Sequence, residues 1–197
     1  LFIDPHAPYA PPAPYDTMYA NDPALLGTSR TLTREQIGGQ AVVEGESQSA
    51  YYTSRYYGEV SLVDRSIGEI VQRVDALPGK TLWIVTADHG ESLGEHGEST
   101  HAVFIYDATI RVPLLFRLPG LLPAGKVYDG PVRSVDIVPT VLAALHLPGA
   151  DQTQGRDLLP ALRGDVEPPD LPQYCESLVS EVGFGMAPLH GLRHDGY

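Results

Sequence analysis

The chain has 197 residues, of which 43% are hydrophobic and 19% charged, a composition typical of a globular protein and not of a disordered one. Its net charge of −12 argues against a nucleic-acid partner, because phosphate backbones repel acidic surfaces, although it also suits a merely solubilising surface. No stretch approaches the roughly 20 apolar residues of a membrane span. The single cysteine, Cys175, excludes an internal disulfide.

The chain opens with a short apolar stretch, LFIDPH, that predicts a strand. Five prolines between residues 5 and 14 then exclude a regular helix. Residues 16–50 are weakly periodic and predict a surface excursion with one short helix near TREQIG. Because the sequence starts inside a predicted strand without a methionine and stops inside another at Tyr197, we expect part of a longer domain.

Apolar residues recur at steps of three and four from Tyr51 to Leu77, which predicts a helix with one buried face. A strand at 81–87, a glycine-rich segment and a strand in RVPLLFRLPG follow. A helix in SVDIVPTVLAALHLPG, with Asp136 as candidate N-cap, precedes a short helix in QGRDLLPALRG and strands in PQYCESLV and PLHGLRHDGY. Because helices alternate with strands, we predict an α/β fold whose parallel or mixed sheet is covered by helices.

The strand LWIVTA ends in Asp88 and His89, at the position where open α/β sheets collect their ligands. A bend at Gly90 would let both side chains face one cation. A buried carboxylate needs a metal, an arginine or several amides to offset its desolvation. The pair is therefore a candidate metal site, although two ligands are too few to complete one, and a capping Asp followed by a turn His is the alternative.

Three further histidines are candidates for the same site. His6 ends the first predicted strand, His101 follows His89 by twelve residues, and His96 lies between them. Any one of these is more often a surface or hydrogen-bonded histidine, but their coincidence with strand ends predicts a shared site. Glu91 and Glu95 are candidates to orient His89 or His96, or are part of a solvated loop. GxSxG, P-loop and dinucleotide motifs are absent from the sequence.

Five segments, in this order, resemble the C-terminal half of the catalytic domain of the type I sulfatases, which belong to the alkaline phosphatase superfamily. They are FIDPHAPYAPP, YYGEVSLVDRSIGEIV, TLWIVTADHGESLGEHGE, THAVFIYDATIRVPLLFR and VRSVDIVPTVLAAL. The motifs DPHxPYxPP and TADHGExLGEHG are strongly specific together. The resemblance implies that residues 1–197 form a single partial catalytic domain. Its fold would be an alkaline-phosphatase-like sandwich with a mixed, mostly parallel sheet flanked by helices, incomplete at both ends.

The resemblance also implies an activity, the hydrolysis of a sulfate monoester of a small molecule or glycan. Asp88 and His89 match the second pair of metal ligands, and His6 matches a histidine that hydrogen-bonds the sulfate group. His101 falls near a basic residue that contacts the sulfate or the leaving-group oxygen. The family uses one divalent cation, usually calcium, and a formylglycine nucleophile made from Cys or Ser.

The sequence departs from the family pattern in two places. It has no Cys or Ser followed two residues later by Pro or Ala and four residues later by Arg, and Cys175, followed by ESLV, is not that nucleophile. Since the family carries its nucleophile and first metal carboxylates in the N-terminal half, we expect this chain to be inactive without the rest of its parent. Many sulfatases have Asn where this chain has His89, and an imidazole ligand favours manganese or zinc over calcium.

Two alternatives remain open. One is a phosphodiesterase or phosphonate monoester hydrolase of the same superfamily. Its two-metal version is disfavoured, because Asp4 and His6 are two residues apart where an Asp and a His four apart are expected. The other is a sulfatase-like module that binds without catalysis.

Overall fold

The computed structural model describes residues 1–166 and 171–194. The chain divides into two compact units. The first consists of Leu1–Gly79 and Asp88–Val112, and the second of Lys80–Ala87 and Pro113–Tyr197. All of the candidate site residues, His6, Asp88, His89 and His101, belong to the first unit.

Within the described ranges, none of the helices combines the length and apolarity that crossing a membrane requires.

The first unit is helical. It contains α1 (Pro23–Gly27), α2 (Arg34–Ile37), α3 (Ser49–Asp75) and α4 (Asp107–Ile110), with a single 3₁₀ turn at Glu95–Gly97. The long helix α3 confirms the prediction from periodicity within two residues at each end. The short helix α2 confirms the prediction near TREQIG, and a capping box begins it, because Thr33 and Gln36 each accept the other's backbone N–H.

The proline-rich segment packs directly on α3. Gly58 of α3 has no room for a side chain, since a Cβ there would lie 2.2 Å from the carbonyl oxygen of Tyr15 and 3.1 Å from Cγ of Pro11. Glycine therefore permits the close approach of segment and helix. The buried core of the unit draws on both, and consists of Ala7, Tyr9, Leu32, Ile37, Ala41 and Tyr52.

The prediction of a strand at the start of the chain is wrong for this structure. Residues 1–3 have no regular secondary structure and are exposed, and His6 N–H donates to the carbonyl of Ile3 in a turn. A strand forms only where a neighbour pairs with its backbone groups, and the described strands pair with each other instead.

The second unit holds the strands. It contains β1 (Trp83–Thr86), β2 (Leu114–Arg117), α5 (Ile137–Ala144), α6 (Leu159–Arg163), β3 (Gln173–Ser177), α7 (Val179–Phe184) and β4 (Leu189–Arg193). Apart from α7, which the sequence did not predict, these elements confirm the predicted strands and helices between residues 81 and 193. The end of the last predicted strand, residues 195–197, lies outside the described residues.

Parallel pairing is not found among the described strands. β1 pairs antiparallel with β2, from Trp83 opposite Arg117 to Thr86 opposite Leu114, and β3 pairs antiparallel with β4. In the described residues, the sheet that the sequence predicted thus consists of two antiparallel pairs.

Asp136 is the N-cap residue of α5, as predicted, but its side chain does not cap the helix. It is fully buried and accepts hydrogen bonds from the Arg133 guanidinium at 2.7 Å and from the backbone N–H of Arg156 at 2.9 Å. Burial alone would raise the pKa of Asp136, but these donors outweigh it and the pKa is lowered. The carboxylate thus joins the start of α5 to the segment before α6.

We expect Asp136→Ala to lower the free energy of unfolding by about 3 kcal/mol at neutral pH, because Arg133 would lose its buried partner. A lowered folded-state pKa stabilises the fold above the unfolded value of 3.8 and stops doing so as pH falls. The difference between the two proteins should therefore narrow below about pH 4. Urea denaturation of the full-length protein measures it. Asp165→Ala, at an exposed position, serves as control and should cost less than about 0.5 kcal/mol.

Candidate functional site

Three imidazoles that are far apart in sequence meet in the first unit, and we call His6, His89 and His101 the histidine cluster. The rings of His89 and His101 stack with centroids 3.9 Å apart and planes 23° from parallel. The ring of His6 meets both edge-on, with its centroid 5.1 Å from that of His101 and 6.4 Å from that of His89. The structure therefore brings together three of the four histidines that the sequence assigned to one site.

Asp88 lies beside the cluster. Its Oδ1 atom is 3.9 Å from Nε2 of His89 and accepts the backbone N–H of the same residue at 3.1 Å. The expectation of a buried carboxylate is wrong, because the side chain is 88% exposed. The reason is local: β1 ends at Thr86, so Asp88 lies beyond the strand and faces solvent.

All three rings of the cluster use Nδ1 for a hydrogen bond. His6 Nδ1 lies 2.7 Å from the carbonyl oxygen of Ala7, and His89 Nδ1 lies 2.9 Å from that of Gly90. A carbonyl oxygen only accepts, so Nδ1 must carry the proton in both. In the neutral ring this leaves the Nε2 lone pair free to bind a cation or accept a hydrogen bond.

The third ring is held by a carboxylate. His101 Nδ1 lies 3.2 Å from Oε1 of Glu91, whose side chain is only 4% exposed. Glu91 therefore orients His101, and not His89 or His96 as the sequence suggested. Burial, and then the nearby charge of Glu91, raise the pKa of the Tyr9 hydroxyl. One buried carboxylate thus lies close to both an imidazole of the cluster and a tyrosine of the core.

His96 does not join the cluster. Its ring stacks on Tyr106, with centroids 3.9 Å apart and planes 16° from parallel, and its backbone has a φ of +52°. The positive φ of His96 turns the chain between Gly94 and Glu98, and the His96 side chain packs on Tyr106 and not on the histidine cluster.

Backbone contacts hold the loop that carries His89 and His101. The N–H of Gly90 donates to the carbonyl of Thr109 at 2.8 Å, and a Cβ at Gly90 would lie 2.2 Å from the carbonyl oxygen of Ala108. The buried carboxylate of Glu98 accepts the backbone N–H groups of Val103 at 2.7 Å and Phe104 at 3.2 Å. The sequence indicated the bend at Gly90, but it contained no signal that Glu98 would bind these two amides.

A further buried carboxylate, Glu59 of α3, was not predicted from the sequence. It is 2% exposed and accepts the backbone N–H of Ala10 at 2.7 Å. Burial raises the pKa of Glu59 to about 7, even though the Ala10 amide lowers it in part. A Glu in a long helix normally faces solvent, so residue type and spacing gave no reason to expect it inside.

The donors present account for part of a metal site. Asp88 offers a carboxylate oxygen and His89 an imidazole nitrogen, an oxygen and nitrogen pair that suits manganese or zinc. In residues 1–166 and 171–194, no three side chains of His, Cys, Asp or Glu are arranged to hold a metal ion. The pair therefore fits a divalent cation as two of its ligands, and further ligands would have to complete the shell.

A cavity of about 390 Å³ is lined in part by Glu91. Hydroxyl and carboxylate groups dominate its polar wall, which includes Thr28, Ser49, Thr53, Tyr57, Glu91 and Glu95. The three histidines are not part of this wall, so the cavity and the histidine cluster are separate features that share Glu91.

Comparisons with known proteins agree with the motifs. The family model "Sulfatase" matches residues 1–147. The steryl-sulfatase of Mus musculus is 36% identical over 146 residues, which cover 64% of this chain and 23% of that protein. The arylsulfatase of Clostridium perfringens (strain 13 / Type A) is 29% identical over 171 residues, which cover 80% and 35%.

A solved structure extends the likeness to the fold. The phosphonate monoester hydrolase SpPMH from Silicibacter pomeroyi matches 98% of this chain and 44% of its own, with a TM-score of 0.75 and 27% identity. The chain thus spans about a quarter to a third of the two curated relatives and less than half of the hydrolase. The fold class is α/β of the kind found in alkaline-phosphatase-like sulfatases and phosphonate hydrolases. With three quarters of its residues matched by the family model, the chain belongs to the sulfatase family.

Proposed function

We propose that the protein is a sulfuric ester hydrolase that cleaves a sulfate monoester of a small molecule or glycan. The observation that carries the proposal is the histidine cluster, with Nδ1 of each ring engaged, beside Asp88 in a chain of the sulfatase family. Such a cluster presents several nitrogen atoms to one small volume, which is what a tetrahedral oxyanion ester requires.

Each residue of the site has a proposed role. His6, when protonated, donates from Nε2 to a sulfate oxygen. Asp88 and His89 would hold one divalent cation, which would supply positive charge against the ester oxygens. Calcium is the expectation from the family, and manganese or zinc from the imidazole of His89.

His101 is the proposed proton donor to the leaving group. Cleavage of the sulfur–oxygen bond leaves a negative charge on the departing alcohol, and a protonated imidazole can neutralise it by transferring its Nε2 proton. The buried Glu91 carboxylate accepts from Nδ1 and so orients the ring, leaving Nε2 to face the leaving group. The nucleophile, a formylglycine by family resemblance, would come from the part of the relatives that this chain does not span.

A second candidate is phosphonate monoester hydrolysis. The imidazole at position 89 favours it, as does the likeness to the Silicibacter pomeroyi hydrolase over 98% of the chain. The two activities use the same cluster and differ in the atom attacked, so one assay compares them directly.

We expect the full-length protein to hydrolyse an aryl sulfate faster than an aryl phosphonate monoester or an aryl phosphodiester, and to lose activity with a chelator. Asp88→Asn should lower the rate at least roughly 100-fold, because it removes a charged cation ligand. Asp64→Asn, an exposed change on α3, is the control. A faster phosphonate reaction would support the second candidate. Full activity of Asp88→Asn would overturn the metal role. If the native protein, assayed without a chelator, showed none of the three activities, the result would favour a binding module.

We expect Glu91→Gln to lower kcat roughly 10- to 100-fold with little change in KM, because an amide accepts a weaker hydrogen bond than a carboxylate and orients the His101 ring less well. The ¹⁵N chemical shifts of His101 should change at the same time. Glu95→Gln in the same loop, where the carboxylate is exposed, should leave both unchanged. Native kcat and native His101 shifts in Glu91→Gln would contradict the role of this carboxylate.

A further inference from the structure

The segment that carries His6 is attached to α3 through a side chain. Glu59 Oε1 accepts the backbone N–H of Ala10 at 2.7 Å, across 49 residues of sequence. Between His6 and Ala10, the side chains of Ala7 and Tyr9 are 6% and 5% exposed. The segment is therefore packed along most of its length, and the Ala10 amide is a point at which α3 fixes its end.

The acceptor that α3 offers to this amide is a side chain and not a backbone carbonyl. Glu59 supplies this acceptor from a position that is 2% exposed, where a carboxylate costs more free energy than an apolar residue. Its other oxygen, Oε2, has no hydrogen-bond partner among the described residues. Core packing alone gives no reason for a carboxylate there.

Several charged and titratable groups face this carboxylate. Asp4 and His6 come from the segment, and Arg55 from the preceding turn of α3. The tyrosines Tyr9 and Tyr56, whose rings meet edge-on with centroids 5.7 Å apart, also lie within its electrostatic reach. Glu59 is thus within electrostatic range of His6, the histidine that this segment carries to the cluster.

We propose that Glu59 is a positioning residue for His6, acting through its hydrogen bond to the Ala10 amide. The role rests on the proposed function, in which His6 contacts the sulfate group. This role depends on the length of the side chain, because an acceptor at this distance from α3 keeps the segment in its place beside the histidine cluster. A shorter side chain would let the segment shift and carry His6 away from His101.

Two conservative variants separate the effect of side-chain length from the effect of charge. Glu59→Gln keeps an oxygen at the same distance and removes the charge, and Glu59→Asp keeps the charge on a side chain shorter by about 1.5 Å. We expect kcat of Glu59→Gln to stay within about threefold of native. We expect kcat of Glu59→Asp to fall roughly 10- to 100-fold with KM changed less than threefold, because a shift of about 1 Å in a contacting group has that effect.

A readout without substrate accompanies the kinetics. In full-length protein labelled at histidine, the imidazole signals of His6 should move in Glu59→Asp and not in Glu59→Gln. Those of His190, on β4, should stay fixed in both variants. Glu69→Gln, which changes an exposed carboxylate of α3 in an ion pair with Arg65, is the matched control.

The outcomes distinguish the two proposals. Moved His6 signals in Glu59→Asp support the positioning role even if no tested ester is cleaved, which would count against the proposed function alone. Unmoved His6 signals in Glu59→Asp overturn the positioning role. An equal or larger loss in Glu59→Gln also overturns it, because the charge and not the reach would then be what the site uses.

Discussion

The contact between the backbone of Gly90 and that of Ala108 and Thr109 determines where the candidate site can form. The hydrogen bond from Gly90 N–H to Thr109 fixes the chain directly after His89, and the approach to Ala108 leaves no space for a Cβ. Any larger residue would push this loop outward. His89 would then lose its stacking with His101, whose own position depends on the next turns of the loop.

Three imidazoles lie within a few ångströms of one another, and Nδ1 of each ring is held by a different acceptor. Two protonated rings at the 3.9 Å separation of His89 and His101 would repel each other strongly in a partly buried site. The hydrogen bonds to carbonyl oxygens place a proton on Nδ1 of His6 and His89, so Nε2 of a neutral ring keeps its lone pair, whereas Nδ1 of His101 is held by the buried carboxylate of Glu91. The different partners thus fix the orientation of each ring.

The sequence predicted what depends on short-range pattern. The 27 residues of α3 followed from apolar spacing, and the grouping of His6, His89 and His101 followed from motif resemblance and from their places near predicted strands. It failed where the structure of a residue depends on a partner that is distant in sequence. Residues 1–3 have the composition of a strand but pair with none of the described strands, and Glu59 is a helix residue whose burial depends on a segment 49 residues away. Glu91 was recognised as a candidate, but which histidine it holds depends on the fold of the loop.

The histidine cluster alone does not separate the two candidate activities, and chemistry explains why. A sulfate monoester and a phosphonate monoester are both tetrahedral at the reacting atom, and both carry one negative charge at neutral pH. Hydrogen-bond donors and a cation that recognise oxygen atoms around such a centre serve either ester, since they stabilise charge and not the identity of sulfur or phosphorus. The choice between them must lie with the nucleophile and with contacts to the group that only the phosphonate carries on phosphorus. If the proposed function holds, the histidine cluster and Asp88 would recognise the ester group that the two substrates share, and contacts outside the cluster would select between them.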